Sequence, residues 1–117
     1  MQPIIIDSKE VFGRWELSKA DQLAVLGLPA NFSLSELHTL DQTEVEQVTA
    51  RSACITSLDR SLNILYPSQD LVKRWLTQPN SHPLFDHQAP LDLLKSGDLD
   101  VFRQIAQLMS AWSAGNY

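Results

Sequence analysis

From Thr43 to Tyr66, Val45, Val48, Ile55, Leu58, Leu62 and Leu65 recur at intervals of three, seven, three, four and three. That spacing puts them on one stripe of a helix, so it predicts a core helix of about six turns, stopped by Pro67. Phe102, Ile105, Met109 and Trp112 repeat at three, four and three and predict a last helix capped by Asp98. Shorter periods fill the rest. Val11, Phe12 and Trp15 share a face of a first helix that starts after Asp7 or Ser8. Ser18 caps a second helix with Asp21 at its third position, and Leu23, Ala24, Leu26 and Leu28 follow until Gly27 and Pro29 force a turn. Ser33-Leu34-Ser35-Glu36 has the form of a capping box and opens a third short helix through Leu40. Ser68 caps a further helix carrying Leu71, Val72, Trp75 and Leu76 up to Pro79. Pro90 suits the first position of a short helix, Leu91 to Lys95, closed by Gly97. With no Asn-Gly or Asp-Gly pair and only four glycines, hairpin signals are nearly absent and the chain reads as all-α, a compact multi-helix bundle.

Composition narrows the possible activities. The 117 residues suit one compact unit, and 44% hydrophobic with 20% charged residues can form a core. Fourteen acidic against nine basic residues give a net charge of -5, the wrong sign for gripping nucleic acid by bulk electrostatics. The single cysteine, Cys54, excludes an internal disulfide framework and fits a reducing cytoplasm. No apolar run approaches the length of a membrane span, and Met1 to Asp7 lacks the form of a secretion signal. A soluble cytoplasmic protein is the expectation.

Searches for chemistry return little. His38, His82 and His87 have neither His-x-x-x-His spacing nor a cysteine partner, so no metal site and no cofactor are expected. Pro83 to Asp86, between His82 and His87, reads as a solvated loop with an apolar plug. No phosphate loop, nucleophile elbow or acidic triad occurs, and the chain is not expected to be an enzyme. The first three helices have the spacing of a helix-turn-helix, in which Arg14, Lys19 and Arg51 would touch phosphates and Ser35 and His38 would face bases. Glu36 in the third helix would repel phosphate, so such binding to promoter DNA would be weak. A structural trio of helices is the plain alternative.

The last helix carries the strongest signal of an interface. After Arg103 no residue through Tyr117 is charged, and apolar side chains cover more than one face. Such coverage marks either a central bundle helix or a surface for self-association or a partner.

Trp75-Leu76-Thr77-Gln78-Pro79-Asn80, then Pro83-Leu84-Phe85-Asp86, then Ala89-Pro90-Leu91-Asp92-Leu93-Leu94 and Gly97, form an ordered string. It resembles the toxin-binding domain of the Xre/MbcA/ParS antitoxins, with Ala89 where that family more often has Ser. The likeness runs from about Leu62 to Tyr117. Upstream, Trp15-Glu16-Leu17-Ser18, Gln22 and Leu26-Gly27-Leu28-Pro29 resemble the Xre-like helix-turn-helix half of the same proteins. The resemblance implies three regions in one compact unit: a helix-turn-helix region at 1–42, a connecting core helix at 43–66 and a toxin-binding region at 67–117. It implies a type II antitoxin that neutralises a cognate RES-domain toxin, an NAD-consuming or ADP-ribosyltransferase-like enzyme, by covering its active site, as a homodimer or a hetero-oligomer with the toxin. Trp75, Pro79, Asn80, Phe85, Pro90, Leu91, Leu94 and Gly97 would be scaffold, burying aromatic area and stiffening the proline-rich loop. Arg103, Gln104, Met109, Trp112, Asn116 and Tyr117 would meet the toxin, since Trp, Tyr and Arg are favoured interface anchors. A helix-turn-helix regulator without a toxin, or a dimeric helical scaffold, are the competing readings.

Overall fold

The computed structural model describes residues 3–96 and 98–115. Six α-helices and one 3-10 helix follow in order: α1 (Pro3–Trp15), α2 (Lys19–Val25), the 3-10 helix (Leu34–Thr39), α3 (Gln42–Leu65), α4 (Gln69–Thr77), α5 (Pro90–Lys95) and α6 (Leu99–Ser113). The described residues contain no strand. The all-helical expectation holds. Gly97, Asn116 and Tyr117, named above as helix stop and as toxin contacts, lie outside the described residues.

Local chemistry places the boundaries. The Asp41 side chain accepts from Glu44 N–H, and Glu44 returns the bond to Asp41 N–H, a capping box that starts α3 one residue ahead of the expected Thr43. Ser18 caps α2 through Asp21 N–H, and Ser68 caps α4 through Leu71 N–H. At the end of α2, Gly27 takes φ +74°, its N–H bonds to Ala24 and that of Leu28 to Leu23, the glycine-ended helix stop. Two boundaries differ from the sequence reading. α1 begins at Pro3, well before Ser8, because proline is admitted in a helix's first turn. The third element is 3-10 rather than α-helical: the box at Ser33 and Glu36 forms, but Leu40 N–H bonds Leu37 three residues back.

α3 is the axis of the molecule, with α1 and α6 packed along it. Ser8 meets Ser52, and Trp15 meets Asp59. Seven residues separate the contacts on each helix, so the two run in the same direction about two turns apart in register. Arg51 meets Phe102 while Ser57 faces Ser110 further along, so α6 also runs parallel to α3. Phe12, Trp15, Ile55, Leu58, Leu62, Phe102, Ile105 and Met109 form one continuous core with Trp75, Phe85 and Leu94. In the proline-rich loop, Asn80 N–H donates to Gln88 and His87 N–H donates to the Asn80 carbonyl, closing the segment on itself around a fully buried Phe85. Asp86 and His87 both adopt left-handed backbone, φ 48° and 63°, to make that closure.

Candidate partner-binding surface

α6 is amphipathic rather than buried on all sides. Phe102, Ile105, Ala106 and Met109 face the core, whereas Arg103, Gln104, Gln107, Ser110 and Ala114 are exposed. Only one stripe of an outer bundle helix has neighbours to cover it. Met109 is therefore corrected from partner contact to core: it is fully buried, because it falls one turn after Ile105 on the inward stripe. Trp112 is half-buried, its ring meeting His82 edge-on at 5.6 Å. Arg103 is exposed and lies 3.9 Å from Asp100. Gln104 is exposed.

Small side chains let α3 and α6 approach closely and leave two shallow grooves beside their seam. One of about 420 Å³ is lined by Ser57, Ala106, Gln107, Ser110, Ala111 and Ala114. The other, about 330 Å³, reaches Ala53, Cys54 and Arg103. The Cys54 thiol is pushed above its usual range by burial, against the pull of Arg103 and Arg51. Gln107, Ser110, Ala111 and Ala114 belong to the uncharged run after Arg103 but were not among its expected toxin contacts. Their signal is the charge-free run after Arg103 read at helical spacing away from the core stripe.

The residues of the sequence string fall together on one side. Trp75 and Phe85 meet edge to face at 5.7 Å, and His82 lies edge-on to Phe85 at 6.0 Å. His82, read from sequence as part of a solvated loop, is half-buried: Leu84 N–H donates to its Nδ1 and the Asn80 side chain accepts from His82 N–H. His87 is exposed. Pro90, Leu91 and Leu94 are buried in α5, and Pro79 is exposed. A third cleft of about 290 Å³ lies beside α4, between Tyr66, Leu71, Arg74, Trp75, Gln78 and Asn80.

The residues proposed for DNA do not converge. Arg14 is tied to Asp59 at 2.6 Å, and Arg51 is buried beneath Gly27 with its guanidinium 5.5 Å from the Phe102 ring centre. Arg51 is thereby corrected from a phosphate contact to an interior cation; its position on the inner face of α3 places it between α2 and α6. Burial lowers its pKa, opposed by Asp98. Lys19 and His38 are exposed, and the Ser35 hydroxyl is bonded to Ser33 at 2.8 Å. Among the described residues no group of three or more His, Cys, Asp or Glu side chains could hold a metal, and no helix is long and apolar enough to cross a membrane.

Comparison with known proteins joins the string to a family. Residues 61–115 match the antitoxin Xre/MbcA/ParS C-terminal toxin-binding domain. The uncharacterized protein y4oB of Sinorhizobium fredii is 28% identical over 103 residues, covering 87% of this chain and 78% of that protein. No solved structure matches the chain. The matched family is one of toxin-binding domains rather than enzymes, and its bounds take in the end of α3, α4, the Phe85 loop, α5 and α6. The segment from 61 to 115 is thus similar to the antitoxin Xre/MbcA/ParS C-terminal toxin-binding domain family.

Proposed function

We propose that the chain is the antitoxin of a cytoplasmic type II pair and neutralises a cognate RES-domain toxin by covering the cleft in which that enzyme handles NAD. The observation that carries this reading is the exposed, uncharged face of α6, Gln104, Gln107, Ser110 and Ala114, inside a toxin-binding family match. A charge-free face avoids the cost of desolvating ions when it is covered, and its amides and hydroxyl can hydrogen-bond a partner, so it suits a tight contact. Arg103 and the half-buried Trp112 border that face and are the anchors of the contact. Asn116 and Tyr117 extend it along the chain. The complex would be a hetero-oligomer, with self-association of the antitoxin through the same helix as the competing use. Promoter binding is a secondary part of the proposal: Lys19 and His38 are the open residues of the helix-turn-helix region, too few for strong binding.

Co-expression with the enzyme encoded in the neighbouring reading frame tests the reading. Growth should be restored by the full chain and lost when residues 110–117 are deleted. A deleted chain that folds and still protects overturns occlusion by this end of the molecule.

A further inference from the structure

The cleft beside α4 shares no lining residue with the two grooves along α6 and is unlike them in chemistry. Tyr66, Leu71 and Trp75 give it an apolar wall, and Arg74, Gln78 and Asn80 supply polar groups. No carboxylate is among its lining residues. That is unusual on a chain of net charge -5, and the ion pairs explain how it arises. Lys73, the neighbour of Arg74, bonds Glu16 and lies 3.6 Å from Asp70, so it occupies both carboxylates near α4. Arg74 is exposed and has no carboxylate partner among the described residues. The Asn80 side-chain oxygen already accepts from His82 N–H, which leaves its amide N–H groups to point elsewhere. The Tyr66 phenol, whose pKa burial raises further above neutrality, carries its proton and can donate. The cleft sets the donors of Arg74, Tyr66, Gln78 and Asn80 beside an aromatic wall, with no carboxylate among its lining residues.

We propose that this cleft takes a carboxylate borne beside an apolar side chain on the partner toxin, with Arg74 gripping the carboxylate and Tyr66, Leu71 and Trp75 receiving the apolar neighbour. Arginine suits the role because its planar fork matches the two oxygens of a carboxylate, which lysine cannot do. The net charge of -5 repels an acidic segment from the chain at large, so the attraction is local to Arg74. The inference deepens the antitoxin reading by adding a second, electrostatic anchor to the uncharged contact of α6, and it rests on that reading for the identity of the partner.

The test compares toxin affinity for the full chain and for Arg74→Ala, Arg74→Lys and Arg74→Glu, each first checked by circular dichroism. Arg74→Ala should weaken binding at least tenfold, Arg74→Lys should recover only part of it, Arg74→Glu should weaken it further, and added salt should weaken the parent more than Arg74→Ala. Folded Arg74→Ala and Arg74→Glu chains that bind within twofold of the parent overturn the cleft assignment. Gln107→Arg separates the two readings, since Gln107 is exposed on α6 and lines its grooves but not this cleft. If the parent binds no toxin, the antitoxin reading fails, and the cleft is then read by titrating the isotope-labelled chain with a capped Leu-Glu-Leu peptide and its Leu-Gln-Leu counterpart. Larger amide shifts around Arg74 and Trp75 with the glutamate peptide support the site. Equal shifts, or none, overturn it.

Discussion

Along one side of α3 the contacts to α1 are discrete and polar. Asp59, only 4% exposed, accepts from Arg14 at 2.6 Å, from Trp15 Nε1 at 2.9 Å and from Asn63 at 3.2 Å, and the buried hydroxyls of Ser8 and Ser52 bond each other two turns earlier. Along the other side Phe102, Ile105 and Met109 of α6 share a core with Ile55, Leu58 and Leu62, the Arg51 guanidinium lies over the Phe102 ring, and no ion pair joins the two helices among the described residues. The difference teaches what each seam specifies. A buried carboxylate with three donors tolerates one register, because a slip leaves charge and N–H groups unpaired. An apolar seam supplies more stabilising area but less register, and here small residues rather than polar bonds fix how closely α3 and α6 approach.

Breaking the apolar seam should have the largest effect. Phe102→Ala removes a fully buried ring and the face under the Arg51 guanidinium, and is expected to cost about 4 kcal/mol of stability, read as a lower thermal midpoint. Asp59→Ala comes next, at about 3 kcal/mol, since it strands the Trp15 indole N–H inside while Arg14 can turn to water. If Asp59→Ala costs less than 1 kcal/mol by denaturant unfolding, the polar seam adds no stability and the contrast collapses.

Trp112 sharpens the contrast from the outside of α6. Being half-buried against His82, it should lose only about 1 kcal/mol of stability on truncation to Ala, while toxin affinity should fall by about 2 kcal/mol. The reverse ordering in paired melting and binding measurements would make it core. Gly27→Ala should cost about 2 kcal/mol: the backbone is left-handed, and an added Cβ would sit 2.8 Å from Nε of the buried Arg51, which is packed on Phe102 with little room to shift. The smallest effect concerns Cys54. Its thiol titrates above the usual range because burial disfavours the thiolate, so at neutral pH the reactive fraction is below that of a free cysteine. Iodoacetamide should label the folded chain more slowly than the urea-unfolded chain, and equal rates would show the α3 and α6 seam open to solvent at that point.

Much of the architecture was legible before any coordinates. Helical period reports which side chains share a face, so α3 appeared within one residue at each end; Ser18, Ser68 and Asp98 marked helix starts through local bonds between near neighbours, and Pro90 through its fixed φ in the first turn. The ordered Trp75 to Leu94 string likewise pointed to its family, because prolines and aromatics at fixed distances in a loop are rarer than a hydrophobic period. What the sequence could not contain are relations between distant positions. Whether Met109 or Ser110 faces a partner depends on which side of α6 the other helices leave open, and that is a matter of packing. Arg14 and Arg51 look alike as cations in an acidic chain; one became the partner of Asp59 and the other an interior guanidinium only because α3 places Asp59 and Arg51 two turns apart, under α1 and under α2 and α6. The paired left-handed residues Asp86 and His87 were equally hidden: the closure of that loop is set by long-range burial of Phe85, which outweighs the local preference of each backbone.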